Sequence, residues 1–133
     1  MKKSAAFLLC AAAFALASAP ANATVGIGCT GMTTDAGVDI LFGAGPVPNF
    51  LEVTVVAAGQ KISTRAQDGF TEANIAQAYD DGEMVRVDLM DVQAERLLAA
   101  IRFIRADDKA GPLQIGYVQL PDTAPIAITC EGP

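Results

Sequence analysis

The feature that most constrains the fold of this chain is a period-two alternation of apolar and polar residues from Gly26 onward, broken at short intervals by Gly, Pro, Asn and Asp. In one run Val38, Ile40 and Phe42 share a face while Asp39 takes the other. A β-strand points successive side chains to opposite faces of its sheet, so such runs are typical of half-buried strands. The sequence therefore predicts an all-β fold, a small antiparallel sandwich or barrel of about seven or eight strands.

Turn residues divide these alternating runs. Asp80-Asp81-Gly82 is an acidic-Gly turn of the kind that joins hairpin strands, so residues 74–89 are predicted to form a hairpin with its tip near Asp81. Gly26 and Gly28 are interpreted as turn or close-approach positions, because they do not complete a nucleotide-binding loop. The other predicted strands are 38–42, 51–55, a return strand through Ile62 and Thr64, 113–120 and 126–130.

Two stretches fit helix and strand alike. Residues 91–106 carry apolar residues at helical spacing, which leaves an α+β fold with a helix near 92–105 as an alternative. The alternation around Ile101 and Phe103 favours a strand there instead. Residues 71–79 are similarly ambiguous, because their first residue is a threonine that can cap a short helix.

The first 23 residues are predicted to be a cleaved export signal. Lys2 and Lys3 give a positive start, residues 5–17 are apolar without interruption, and Ala21-Asn22-Ala23 has the small-x-small form that signal peptidase accepts. The apolar stretch of 13 residues is too short for a membrane helix, which requires about 20. We expect residues 24–133 to form a single periplasmic or secreted domain of 110 residues without a membrane span.

Two cysteines remain in this mature part, Cys29 near its start and Cys130 near its end. In an exported domain such a pair is expected to form a disulfide, here one that ties the two ends of the chain together. Closing a loop of about 100 residues stabilises the fold by up to about 4.7 kcal/mol in the chain-entropy model. A redox or metal site is disfavoured, because the chain has no C-x-x-C motif and no histidine.

Charge and composition exclude several functions. The mature part keeps all 15 acidic residues but only 7 of the 9 Lys and Arg, which gives a net charge of −8. Nucleic acids and anionic lipids are poor partners for such a chain, since binding phosphates requires cations. The absence of histidine removes Ser-His-Asp and Cys-His catalysis and histidine-bound metals. We expect neither enzymatic activity nor a cofactor.

Carboxylates are densest between residues 80 and 91, at Asp80, Asp81, Glu83, Asp88 and Asp91. Several such oxygens can bind calcium, and a pair of them can act as acid and base, so a calcium-dependent or enzymatic module is one alternative. Hairpin-turn and strand positions explain the same residues without any ligand, and their spacing fits no EF-hand loop.

Four of the seven mature positive charges lie within 14 residues, at Arg96, Arg102, Arg105 and Lys109. They are candidates for a binding face. In a strand, however, Arg102 and Arg105 point to opposite faces, so a continuous patch requires a helix or a bulge between them. The alternative is that these residues pair with Asp88, Asp91 and Glu95 across neighbouring strands.

The sequence thus favours an exported, non-catalytic binding or accessory protein of the cell envelope, whose partner is a protein or another envelope component. Loops on a rigid β scaffold commonly carry recognition, and the turns at 43–48 and 121–125 are the expected contacts. With a cysteine near each end of an eight-strand pattern, the chain resembles the small secreted β-barrels that inhibit lysozyme. That resemblance implies a basic protein partner, which a net charge of −8 also favours.

Overall fold

A computed structural model describes residues 24–47 and 49–132 of the chain. The predicted export signal lies outside these residues. The described part contains no helix long and apolar enough to cross a bilayer. Its secondary structure is made of nine strands: β1 (Val25–Gly31), β2 (Gly37–Gly43), β3 (Asn49–Ala57), β4 (Gln60–Ser63), β5 (Thr71–Asp80), β6 (Met84–Asp91), β7 (Leu97–Asp108), β8 (Gly111–Gln119) and β9 (Ile126–Glu131).

The nine strands form a closed barrel in which each strand pairs with its neighbours in sequence and β9 pairs back with β1. A ring with an odd number of strands cannot alternate in direction throughout, so one neighbouring pair must be parallel. That pair is β4 and β5, which are joined by only two register pairs, Ile62 with Thr71 and Ser63 with Glu72. All other neighbouring strand pairs of the barrel are antiparallel, as predicted.

Along each strand every second side chain points into the barrel, and most of these inward side chains are apolar. In β7, Ala99, Ile101 and Phe103 are buried while Ile104 is exposed. Burying each large apolar side chain contributes roughly 1.5–3 kcal/mol, and inward residues from all nine strands contribute to this single core.

The all-β prediction is confirmed, and the helix near 92–105 is wrong. Residues 92–96 form a turn, and a strand follows it. In a strand Phe103 points inward with Ile101 and is buried, whereas in a helix it would lie off the apolar face. Residues 71–79 are also a strand. The predicted strand count was low because β1 was missed: its outward positions are Gly26 and Gly28, which resemble turn residues, while Ile27 and Cys29 between them are buried.

The predicted disulfide is confirmed. Cys29 and Cys130 are directly opposite each other on β1 and β9, with Cα atoms 3.9 Å apart, and they close a loop with a sequence separation of 101. Both cysteines belong to the buried core. The bond therefore fastens the first strand to the last at the point where the barrel closes.

Candidate binding site at one end of the barrel

The barrel has two ends, which we name after the residues that characterise them. At the Arg105 end lie the last residues of β5 and β7 and the first residues of β6 and β8, together with the turns that join them. At the Asp91 end lie the last residue of β6 and the first residue of β7, with the 92–96 turn between them.

An ion pair occupies the Arg105 end. Arg105 continues the inward series of Phe103 along β7, and its Nη1 donates to Oδ1 of Asp80 at 2.6 Å. The side chains of Arg105 and Asp80 are only 20% and 8% exposed, so this pair is largely withdrawn from water. The same Asp80 oxygen accepts the backbone N–H of Gly82 at 2.9 Å, which fixes the carboxylate to the turn. The guanidinium also lies 5.7 Å from the centre of the Phe103 ring.

Gln114 lies beside Arg105 at the same end. The two residues are direct register partners on β7 and β8, so their side chains share a face. Gln114 is only 6% exposed, and its Nε2 donates to the carbonyl of Gly132 at 2.7 Å. Its Oε1 and the Nε of Arg105 are buried and have no hydrogen-bond partner. A buried polar group left unpaired costs roughly 1–3 kcal/mol, so two on adjacent residues call for an explanation.

Open cavities flank this pair. One of about 570 Å³ is lined by Arg105 and Gln114, with Glu83, Asp107 and Gly132 at its sides. A second, of about 360 Å³, has Asp80 and Arg105 on one side and the turn after β2 on the other. Arg105 therefore contributes to the lining of both cavities.

Asp81 serves the β5–β6 turn. Its Oδ1 accepts the backbone N–H groups of Met84 at 2.7 Å and Glu83 at 3.0 Å, and its Oδ2 accepts the hydroxyl of Tyr79 at 3.0 Å. These donors, the Met84 and Glu83 amides first, lower the pKa of Asp81. The same contact raises the pKa of Tyr79, because its hydroxyl donates to a carboxylate that also repels the phenolate.

Asp91 has a corresponding role in the turn at the other end. Its Oδ1 accepts the backbone N–H of Glu95 at 2.8 Å and that of Arg96 at 3.2 Å, while its Oδ2 accepts Nε of Arg96 at 3.2 Å. The Glu95 amide and then the Arg96 contacts lower the pKa of Asp91, against the opposing effect of desolvation. The Arg96 side chain is 77% exposed, whereas the Asp91 side chain is only 10% exposed, so water solvates the cation of this pair much more than the carboxylate.

The five carboxylates proposed as calcium ligands are not brought together. Asp80 and Asp81 lie at the Arg105 end with Glu83, Asp91 lies at the opposite end, and Asp88 is bound to Arg102 at 2.6 Å on the barrel wall. Within residues 24–47 and 49–132, no three His, Cys, Asp or Glu side chains are arranged to hold a metal ion. The carboxylate oxygens of the four aspartates accept hydrogen bonds in turns and ion pairs instead.

The four basic candidates do not form one patch either. Arg96 lies at the Asp91 end, Arg102 on the outer wall, Arg105 inside the Arg105 end, and Lys109 in the turn between β7 and β8. Pairing with Asp88 and Asp91 was expected across neighbouring strands: Arg102 pairs with Asp88 in that way, whereas Arg96 pairs with Asp91 within one turn. The pairing of Arg105 with Asp80 was not expected, because it joins residues 25 apart in sequence.

Sequence reasoning missed Gln114, although a signal was present. Gln114 has the parity of Val118 and Leu120, which are both buried, so it is a polar residue at an inward position of β8. Polar side chains at core positions are uncommon and require partners.

Comparisons with known proteins returned nothing: no protein-family model, no curated protein and no solved structure matches the chain. The likeness to lysozyme-inhibiting barrels stays a prediction.

Proposed function

We propose that the protein is an exported, non-catalytic binding protein that captures a basic protein partner at the Arg105 end of the barrel. The observation that carries the proposal is the pair of buried, unpaired polar atoms on Arg105 and Gln114, next to a cavity of about 570 Å³. Native proteins satisfy nearly all buried polar groups, so such a pair at an open end is typical of a site that a partner completes.

Two features support export. Residues 1–23 have the charged start, apolar stretch and small-x-small end of a secretory signal. The Cys29–Cys130 disulfide is compatible with an oxidising, extracellular compartment, where such bonds persist. These two features together support the proposed placement in the periplasm or outside the cell.

The rim of the Arg105 end supports a basic partner. Asp81, Glu83, Asp107 and Glu131 are all exposed there. The mature chain has a net charge of −8, and charge of one sign steers an oppositely charged protein toward its site. Of the two turns expected to make contact, 43–48 and 121–125, the first has its described residues 43–47 at this end, next to the end of β2, whereas 121–125 lies at the Asp91 end. Residues 43–47 are therefore included in the proposed site.

The test uses lysozyme, a strongly basic protein, as the first ligand. Binding to the mature protein is measured by calorimetry at low and high salt, together with a double variant, Glu83→Lys and Asp107→Lys, that reverses two rim charges. We expect micromolar binding to the wild type, weakened by about tenfold or more in the variant and by added salt.

A second double variant, Asp35→Lys and Glu95→Lys, is the matched control. It makes the same change in net charge at exposed positions of the Asp91 end. Equal weakening by both variants would show that charge alone attracts the partner and would reject the Arg105 end as the site. No binding to lysozyme, combined with no capture of basic envelope proteins by the wild type, would reject the function itself.

A further inference from the structure

The chemistry of the Arg105 end defines which group of a partner enters it. We propose that the cavity beside Arg105 and Gln114 receives an uncharged amide, from a peptide main chain or from an Asn or Gln side chain. This inference rests on the proposed function and names the group recognised at the centre of that site.

The first argument is the complementarity of the two unpaired atoms. Nε of Arg105 carries a hydrogen and can only donate, whereas Oε1 of Gln114 can only accept. A residue in an extended peptide presents its own N–H and C=O on the same side, and the carboxamide of Asn or Gln offers a donor and an acceptor from one group, so either provides partners for both atoms.

The second argument is that one other polar group of each residue is already held by the protein. Nε2 of Gln114 is held by the carbonyl of Gly132 at 2.7 Å, which fixes the amide plane and leaves Oε1 as the free function. Nη1 of Arg105 is held by Asp80 at 2.6 Å. Because the two residues are register partners on adjacent strands, their free atoms project from neighbouring points of one face.

The third argument is charge. Asp80 already neutralises Arg105, and the exposed Glu83 and Asp107 repel an anion approaching through the cavity. A cation that reached the centre would meet the Arg105 guanidinium. An uncharged group is therefore favoured at the centre, while positive charges of the same partner interact with the rim. A peptide segment carrying Lys or Arg has both properties.

Neither unpaired atom reaches the surface in the unbound protein, since each is enclosed by its surroundings. Entry of an amide therefore requires side chains that line the cavity to move. The amide then provides hydrogen bonds to two buried atoms that have no partner within the protein, which favours its binding.

The experiment is a nitrogen-edited NMR titration of the wild-type mature protein. The probe is N-acetylglycine N-methylamide, and acetate and methylammonium are the charged comparison probes. We expect a saturable shift of the Arg105 Nε–H and Gln114 side-chain resonances with the blocked glycine, at millimolar concentration, and none with either ion. No saturable shift with the blocked glycine, or an equal shift with acetate, would overturn the proposal.

Gln114→Met tests the acceptor directly, because methionine keeps the length of the side chain and removes its amide. We expect this substitution to weaken binding of the blocked glycine by about tenfold or more. Gln119→Met is the matched control: Gln119 is also on β8 and also donates to a loop carbonyl, that of Thr123 at 3.2 Å, but it lies at the Asp91 end. Equal effects of the two variants would contradict the assignment. If Gln114→Met does not fold, the three probes on the wild type decide the question.

A crystal structure distinguishes the remaining explanation, a single trapped water that bridges the two atoms. A bridging water that stays in place when the crystal is soaked in the blocked glycine would overturn the proposal. Failure of lysozyme to bind would not, since the amide probe reports on the centre of the site and the rim variants report on its charge. The two results are therefore separable.

Discussion

The two ends of the barrel each contain an Asp–Arg ion pair, but they differ in hydrogen bonding. Among the described residues, buried side-chain atoms without a hydrogen-bond partner occur only at the Arg105 end. At the Asp91 end, three donors from the adjacent turn converge on one carboxylate, and its arginine is 77% exposed. At the Arg105 end, the partners come from three different strands, the arginine is 20% exposed, and two polar atoms remain unpaired. A local turn supplies its own hydrogen-bond donors, whereas the Arg105 end brings together residues that are distant in sequence and leaves two buried atoms without a partner in the protein, which is why the binding site is proposed there.

The largest effect is expected from removing the disulfide that closes the barrel, and this change also tests whether the two ends differ. Replacing both Cys29 and Cys130 by Ala is expected to lower the free energy of unfolding by about 3–5 kcal/mol, because it frees a loop of about 100 residues in the unfolded chain. The loss should loosen the Arg105 end first, since β9 ends at Glu131 next to Gly132, whose carbonyl holds Gln114. Urea unfolding measures the first effect and hydrogen exchange the second. Equal exchange at the two ends would contradict the second expectation.

The arginines provide the next test. Arg105→Met is expected to cost about 3 kcal/mol, the lower part of the range for breaking a buried ion pair, because it leaves Asp80 withdrawn from water without its cation. Arg96→Met is the control and should change stability much less, because Arg96 is mostly solvated. Thermal unfolding of both variants measures the difference. Similar losses would show that the two ends are energetically alike.

Acid should weaken both ends through carboxylates that stabilise turns. The folded state lowers the pKa of Asp91 and of Asp81, so their contributions are complete above the ordinary carboxyl value of 3.8 and are lost as pH falls through the lowered pKa. Asp91→Asn should therefore destabilise the protein at neutral pH, and its difference from the wild type should shrink at about pH 3 and below. Urea midpoints across this pH range check the sign. A difference that grows on acidification would refute the assigned role.

The smallest effect is expected from turn geometry. Both ends have a turn residue with a positive φ. At the Asp91 end it is an alanine, Ala58 with a φ of 49°, and at the Arg105 end it is a glycine, Gly82 with a φ of 91°. Ala58→Asn should raise the free energy of unfolding by about 0.5 kcal/mol, since asparagine tolerates this conformation better than alanine. Gly82→Ala should lower it by about 1 kcal/mol, and both changes are measurable by urea unfolding.

Local pattern was enough to predict most of the barrel. The alternation in β2, β3 and β6 and the Asp80-Asp81-Gly82 turn identified the strands and one hairpin directly, and the cysteine positions identified the closing bond. The strand β1 escaped because glycines fill its outward positions. The parallel pairing of β4 with β5 was also missed, because strand direction depends on the closure of the whole ring and is not encoded in either segment.

The candidate site was predictable only in part. Asp80, Glu83 and Arg105 were all candidates, but in separate groups, and the sequence offered no reason to join an acidic turn to a strand residue 25 positions away. Gln114 has no charge and no motif. It becomes informative only when the register places it opposite Arg105 and burial removes it from water.

Because β1 and β9 are ladder neighbours, the barrel begins and ends at adjacent points, with Gly28 opposite Glu131. A short linker could therefore join Gly132 to Val25, and new ends could be opened in the 92–96 turn without removing a single strand pairing. Such a circular permutant would place both termini at the far side of the molecule. Affinity tags and surface tethers could then be attached there and leave the Arg105 end unobstructed.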